Sequence, residues 1–495
     1  MNEKIGVLVF PAGEINSIEL HDALSDCVNI RLYGASSVDR HGGFVFEHYI
    51  GALPFMREEG FVESINKVIS ENAIDLIIPT HDDAVLFLTE NQNRLNAKVL
   101  GCGAETAGIC RDKKRTYELF YDCDFCPKIF TKLERFPVFA KPRKGQGGAG
   151  SRLIHSADDI PSGLGLSADG IPAGLGLSDD DIPAGLGLSA DGIPSGLDLS
   201  ADGIPAGLGL SADDIPAGLD PAVDDITTGL DPAEYVICEY LPGEELTVDC
   251  FTDKNGRLQA VLPRSRQRIF GGVSVRGQNE PLTSDIERIA DTINSRLRFL
   301  GLWYFQIKRD SCGDFKLLEI SARCAGTMCL SRALGVNLPL LSVYAAMGRE
   351  TEVLKNNYKA TVDRTLISRY RTDLRYESVY IDLDDTIIRG SLVNLQIIRF
   401  LYQCVNKGKH IILVTRHCTD HGDSVSEVLK RHKISSDLFD EIIELDAETP
   451  KYTVIEPRSA IFIDNAYAER KAVYKKLDIP VFDVDGVEVL LDWRT

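Results

Sequence analysis

The sequence predicts a multidomain protein of α/β and α+β class, on three observations. Short β-branched runs alternate with helical periodicity over the first hundred residues, and the same rhythm returns from Tyr376. Between them lie longer alternating runs joined by glycine-containing turns, the pattern of antiparallel strands. A chain of 495 residues also exceeds what one ordinary core organises.

In the first segment, Ile5 to Phe10 and Leu76 to Pro79 read as apolar strands, and Val62, Ile65, Val68 and Ile69 as one face of a helix. This βαβ rhythm implies a Rossmann-like parallel sheet over residues 1–105. The start, MNEKIGVLVF, runs straight into a strand without a basic and then apolar leader. No apolar run approaches the roughly 18 residues of a membrane span. A soluble, cytoplasmic protein without a membrane partner is the expectation.

The 54 basic and 74 acidic residues leave a net charge of −20, which argues against nucleic acid as a partner. Its distribution is uneven. Residues 156–232 hold fifteen Asp and no Glu, Lys or Arg, in seven tandem copies of an eleven-residue unit such as SADGIPAGLGL. With a proline in nearly every copy and few apolar side chains, the array has little to bury, and disorder is expected. Its period does not match the nine-residue calcium repeat. Removing six units would leave a short strand, loop and strand, so the array reads as an expansion inside a domain.

Beyond it, Ser284 with Glu287 reads as a capping box opening a helix whose stripe is Ile286, Ile289, Ala290, Ile293 and Leu297. Two strands around a glycine turn follow in WYFQIKRDSCGDFKLLEISAR. The twelve cysteines form no compact framework, and the CxxC of Cys123 and Cys126 lacks a second ligand pair at zinc spacing.

The chemistry-bearing motifs of the first two thirds are spread over five segments. VFAKPRKGQGGAGS places Lys141 at the end of a strand with Gly147 and Gly148 just after it, and glycine-rich main chain can close around phosphates. RDKKRT supplies Lys113 and Lys114. ICEYLPGEEL supplies Glu239, Leu241 and Glu245, and the last two strands set Gln306 opposite Glu319, oxygen ligands of the kind Mg2+ prefers. LPRSRQRIFGGVSVRG adds Arg264, Arg266, Arg268 and Arg276, of which Arg264, Arg266 and Arg276 are candidates to clamp a carboxylate substrate, Arg266 first.

In order and spacing these segments resemble the ATP-grasp superfamily, in its carbamoyl-phosphate-synthetase-like and carboxylate–amine ligase branches, over about residues 1–350. The resemblance implies a pre-ATP-grasp domain at 1–105 and an ATP-grasp domain at 106–355 interrupted by the array. It implies Lys113 or Lys114 and Lys141 at the ATP phosphates, Gly147 and Gly148 in the mobile loop, Glu239 and Leu241 at adenine and Glu245 at the ribose. Gln306 and Glu319 would hold Mg2+, or Mn2+ in its place, and Arg323 would meet the transferred phosphoryl group. The family's EINPR reads EISAR here, so Ser321 stands where an asparagine commonly completes the metal site.

From 376 to 495, VYIDLDDTII sets Asp382 and Asp384 two apart at a strand end, costly without a cation. With Thr415 ending HIILVT, Lys451 in TPKYTVI and Asp464 in AIFIDN, the pattern resembles the haloacid-dehalogenase-like (HAD) phosphatases. That implies a Rossmannoid domain in which Asp382 is nucleophile, Asp384 general acid and base, and Thr415 and Lys451 phosphoryl ligands. Asp382, Asp464 and the Asp384 carbonyl would hold Mg2+, with Asn465 where a second aspartate is frequent. Only 28 residues separate Thr386 from Thr415 and 35 separate Thr415 from Lys451, so no large cap is expected.

The combined expectation is a bifunctional enzyme, an ATP-dependent carboxylate–amine ligase fused to a phosphatase. Its substrates would be a small carboxylate, an amine and a phosphorylated metabolite, and a homodimer is compatible with it. Two alternatives are an ATP-grasp kinase or synthase that needs no amine, and a scaffold with one decayed site.

Overall fold

The computed structural model describes residues 4–131, 135–145, 147–156, 159, 233–270, 272–417 and 423–494. Apart from Ser156 and Asp159, the repeat array lies outside the described residues. The chain forms two compact units, Met1–Thr365 and Leu366–Thr495.

Unit 1 begins with a five-stranded parallel sheet in the order His48–Ile50, Ile30–Ala35, Ile5–Phe10, Leu76–Pro79, Lys98–Val99. Parallel neighbours need crossovers, which helices Ile15–Leu24 and Phe61–Asn72 supply. The central strand Ile5–Phe10 is buried throughout, and its alternation divides it between two cores. Ile5, Val7 and Val9 pack with Leu20 and Leu24 on one face. Leu8 and Phe10 pack with Phe61, Ile65 and Ile69 on the other.

The rest of unit 1 is built on antiparallel pairing. Strand Phe299–Arg309 lies between Glu245–Thr252 and Phe315–Ser321, with Leu258–Ser265 outside the former. At its start, Phe299 and Leu300 also pair with Cys102 and Gly101. A smaller sheet centres Val138–Pro142 between Arg152–Ile154 and Tyr235–Glu239. Helix Ser284–Arg296 buries Ile286, Ile289, Ala290 and Ile293 against Val248, Cys250, Phe305 and Ile307. In the same core Trp303 stacks on Phe299 at 4.3 Å and gives its indole N–H to Thr252 Oγ1 at 2.9 Å.

The stripe of that helix follows the sequence reading, but its cap does not. Thr283, not Ser284, keeps extended backbone (φ −99°, ψ 159°) and accepts from the Ile286 N–H at 3.4 Å. Ser284 is the first helical residue, so its hydroxyl is placed one position too late to cap.

Unit 2 is a second parallel sheet, ordered Glu441–Glu444, His410–Thr415, Ser378–Ile381, Ala460–Ile463, Val481–Phe482. Helix Leu395–Asn406, capped by Asn394, buries Ile397, Phe400, Leu401 and Cys404 against Val379, Ile381 and Leu413. Val473 of helix Tyr467–Leu477 covers Tyr380, Ile412 and Phe462 on the opposite face. Between Thr386 and Thr415 the elements are a two-stranded hairpin, Ile388–Arg389 with Leu392–Val393, the helix Leu395–Asn406 and the strand that Thr415 ends.

Thr283→Ala should therefore lower stability by about 1 kcal/mol and Ser284→Ala by a few tenths at most, read as shifts of the urea midpoint.

Candidate active sites

In unit 1 the two candidate phosphate-binding cations come from separate elements. Lys141, in strand Val138–Pro142, is buried, donates to the Leu318 carbonyl at 3.3 Å and lies 5.0 Å from the Tyr117 ring centre. That carbonyl is exposed to side chains by an irregularity in the ladder. Gln306 pairs with Glu319 and Ile307 with Leu317, so Leu318 is left out of the pairing. The Tyr117 hydroxyl donates to the same oxygen at 2.7 Å. Lys113 opens helix Lys113–Leu119 and donates to the Gly145 carbonyl at 2.7 Å. Burial pulls its pKa below the usual lysine range and the charge of Lys141 adds to this, against the pull of Glu319. Lys114 is exposed, so Lys113 is the member of the pair turned to the glycine loop.

That loop follows directly. Gly147, Gly148 and Gly150 have φ of 59°, 75° and 73°, the left-handed region that residues with a Cβ resist. Gly272 packs on the Gly147 carbonyl so closely that any side chain there would collide with it.

On the expected adenine and ribose side, both carboxylates hold protein groups. Glu239 accepts from the Lys128 N–H at 2.8 Å, and Glu245 lies 2.9 Å from Arg266 Nε. Leu241 is buried. The carboxylate of Glu319 lies 3.5 Å from the Tyr304 hydroxyl and directly across the ladder from Gln306, whose other neighbour is Thr247.

Four more of the candidate residues have protein partners in the structure. Ser321, the candidate metal ligand, donates its hydroxyl proton to Asp82 at 2.5 Å. Arg264 is 3 % exposed and bidentate to Asp249 at 2.7 and 3.1 Å, with Thr327 as a further acceptor; burial between strands makes it a structural ion pair and removes it as a substrate clamp. Arg276 lies at the surface, 3.7 Å from Asp363, to which Arg268 also pairs at 2.7 Å. Arg266, the favoured clamp, is taken up by Glu245 and the Gly272 carbonyl.

Asp82 is the residue the motifs did not single out. It begins helix Asp82–Glu90, just past the carboxyl end of strand Leu76–Pro79, and holds Arg323 through two bonds of 2.9 Å. Arg323 is buried over the Tyr304 ring, and its charge with the Ser321 bond keeps the Asp82 carboxyl far below the usual range against a large burial penalty. The next residue, Asp83, is bidentate to Arg111 at 2.6 and 3.0 Å, and Arg111 also donates to the Lys144 carbonyl beside the glycine loop. The legible signal was HDD at the end of a parallel strand, where α/β sheets place their crevices.

Cys123 and Cys126 sit in a turn closed by the Cys126 N–H on the Cys123 carbonyl. Burial raises both thiols, Cys126 to about 11, so neither is a thiolate at neutral pH. Among the described residues, no three His, Cys, Asp or Glu side chains are grouped to hold a metal ion.

In unit 2 the parallel register brings three strand ends together. Asp382 follows Ile381, Thr415 ends the neighbouring strand, and Asp464 follows Ile463 on the other side. Lys451, buried at the start of a short 3-10 turn, bridges Asp382 at 2.5 Å and Asp464 at 2.7 Å. Thr386 donates to Asp382 at 3.3 Å and accepts from the Asn465 N–H at 3.1 Å. Asp384 is 3.5 Å from Thr415 Oγ1 and 2.7 Å from Nδ1 of His417, whose Nε2 is 2.9 Å from Asp423. Burial disfavours charge on His417, but Asp384 and Asp423 outweigh it and raise its pKa. His417 was not singled out in the sequence, because its partner Asp423 is defined only by the fold.

The charges of this cluster do not balance. Burial raises the Asp382 carboxyl to about 7; Lys451 opposes the rise, and Asp464 and Asp384 add to it. Asp464 is raised as well, again by burial first and despite Lys451. A buried carboxylate set with one ammonium suits a further cation, and the two carboxylates implied for Mg2+ lie at the carboxyl ends of two adjacent strands.

The family described as "ATP-grasp in the biosynthetic pathway with Ter operon" matches residues 231–366. That segment is similar to an ATP-grasp domain. Among solved structures, the biotin carboxylase domain of Hydrogenobacter thermophilus 2-oxoglutarate carboxylase, in complex with MgADP, ADP and bicarbonate, is similar at 12% identity and a TM-score of 0.50, over 73% of this chain and 74% of that one. Thermotoga maritima N5-carboxyaminoimidazole ribonucleotide synthetase is 13% identical with a TM-score of 0.46, over 72% and 79%. Bacillus licheniformis L-amino acid ligase is 12% identical with a TM-score of 0.44, over 70% and 74%. No curated protein matches the chain. Among the described residues, no helix is long and apolar enough to cross a membrane.

Proton counting gives the cluster in unit 2 a pH signature. An aspartate in an unfolded chain titrates near 3.9, whereas folded Asp382 keeps its proton to about pH 7. Between about pH 4 and 7 this carboxyl thus binds more proton in the folded than in the unfolded metal-free protein, and its contribution to stability falls as pH rises. In chelator-treated protein Asp382→Asn should flatten that slope, measured by thermal unfolding across the range.

Proposed function

We propose that the chain is a bifunctional enzyme. Unit 1 uses ATP to activate a carboxylate as an acyl phosphate, which an amine then attacks with loss of phosphate to form a C–N bond. Unit 2 hydrolyses a phosphate monoester through an aspartyl-phosphate on Asp382.

The observation that carries the first half is the bulge at Leu318, which sets Lys141 beside the strand bearing Glu319, with Gln306 across the ladder. Two lysines whose amines rest on main-chain carbonyls suit a polyanion, and the adjacent carboxylate and carboxamide suit Mg2+ or Mn2+. In this reading Lys113 and Lys141 bind the phosphates, and Gly147 and Gly148 bring main-chain N–H groups to them. The segment of Glu239 and Leu241 lines the adenine site, Glu245 the ribose, and Gln306 and Glu319 hold the metal. Arg323 stabilises the charge on the phosphoryl group in transfer, the kind of fixed positive group on which phosphoryl transfer depends. Arg264 is committed to Asp249, so the clamp candidates that remain are Arg276 at the surface and Arg266, which would exchange its Glu245 pairing for the substrate carboxylate when Glu245 turns to the ribose.

The second half rests on Asp382, Asp464 and Lys451 converging beside Asp384. Asp382 attacks phosphorus, and Asp384 protonates the departing oxygen and then takes a proton from the attacking water. Thr415 and Lys451 hold phosphoryl oxygens, and His417 fixes the Asp384 carboxyl. Asp382, Asp464 and the Asp384 carbonyl would hold Mg2+, which supplies charge neutralisation there. A site without a large cap suits a bulky phosphorylated substrate, or one that another domain or subunit roofs.

Turnover of ATP with a panel of carboxylates and amines, resolving ADP, AMP and phosphate, tests both halves. ADP formation should require a carboxylate, and the C–N product an amine. Lys141→Ala should lower ADP formation by about 10²–10³-fold and leave monoester hydrolysis intact. Asp382→Asn should do the reverse, with a loss of about 10⁴-fold or more in hydrolysis. AMP as the product, or hydrolysis that survives Asp382→Asn, would overturn the corresponding half.

A further inference from the structure

We propose that Asp82 is the positioning residue that sets Arg323 against the phosphoryl group transferred in unit 1. The proposal rests on the ATP-dependent reading of that unit and extends it to a residue from the parallel sheet of the N-terminal segment.

An arginine has five N–H donors in one plane. Asp82 accepts from Nε and from one N–H of the second terminal nitrogen, both at 2.9 Å, and the Cys324 carbonyl accepts from the first terminal nitrogen at 3.1 Å. Three of the five donors are thus used, and one N–H on each terminal nitrogen is left over for two oxygens of a phosphoryl group. The aromatic face of Tyr304 lies 5.4 Å from the guanidinium carbon and restricts rotation out of this plane. Tyr304 is itself directly opposite Ser321 in the ladder, with Gln306 opposite Glu319 two residues on.

Asp82 is held in turn. Ser321 donates to the same carboxylate oxygen that accepts from Arg323 Nε, at 2.5 Å. The serine of EISAR therefore joins the carboxylate to the strand that also carries Glu319. A buried ion pair offers little net stability over an apolar pair of the same shape, so its value here is orientation.

Affinity for MgADP, against affinity for MgADP with aluminium fluoride as a mimic of the phosphoryl group in flight, separates orientation from simple support. Asp82→Asn should bind MgADP within about twofold of wild type and the fluoroaluminate complex about tenfold or more weakly, a loss that Asp82→Glu partly restores. Arg323→Gln should show the same selective loss, and combining it with Asp82→Asn should add little. Ser321→Ala, which removes one hydrogen bond and no charge, should show a smaller loss of the same kind and keeps the test available should Asp82→Asn not fold. Equal weakening of both complexes in Asp82→Asn and Ser321→Ala would overturn the proposal and make Asp82 a structural tie. A full fluoroaluminate affinity in Arg323→Gln would remove Arg323 from the transfer step and the proposal with it. Failure of the wild type to bind MgADP would overturn the ATP-dependent reading itself.

Discussion

The period-two alternation of strand Phe299–Arg309 is the constraint on which unit 1 depends. One face of it, with Trp303, Phe305 and Ile307, is buried against the stripe of helix Ser284–Arg296. The other carries Leu302 and Tyr304, buried in a second core, and then Gln306, so the same eleven residues seal two cores before they present a polar end. A shift of one residue in register would exchange the two faces. Phe299 and Trp303, stacked with nearly parallel rings, and the Trp303 bond to Thr252 hold the register in place.

Both units place their ionisable groups at the carboxyl ends of parallel strands, and they balance the charge differently. In unit 1 Asp82 and Asp83 each have a bidentate arginine, and the Asp82 carboxyl is held low. In unit 2 Lys451 serves both Asp382 and Asp464, and burial leaves both carboxyls raised. The first arrangement is electrostatically complete as it stands. The second calls for a further positive charge, which is why a divalent cation belongs to the proposal for that unit.

Much of this was legible wherever the information is local. Alternation in the two strands around Gly313 put Gln306 opposite Glu319, and apolar runs ending in acid marked Asp382 and Asp464. Glycines at 147 and 148 marked a turn that side chains would strain. Local pattern misled where competing residues stood side by side or where burial was decisive. Thr283 and Ser284 are both capable caps, and only the backbone at Thr283 is extended. Four arginines lie within thirteen residues, and packing alone commits Arg264 to Asp249 while leaving Arg276 at the surface.

The sequence by itself determined the two parallel sheets, the antiparallel ladder between them and the residue types at each strand end, because hydrophobic periodicity and strand-end motifs depend on neighbours a few positions apart. Tertiary structure alone decided the partners. Asp82 meets Arg323 across 241 positions, His417 meets Asp384 across 33, and Lys451 reaches Asp382 across 69. The motif marked Ser321 as a candidate ligand, and only the fold shows that its hydroxyl ties to Asp82. Charge pairing across such distances is selected by the desolvation of a particular junction, which no local pattern encodes.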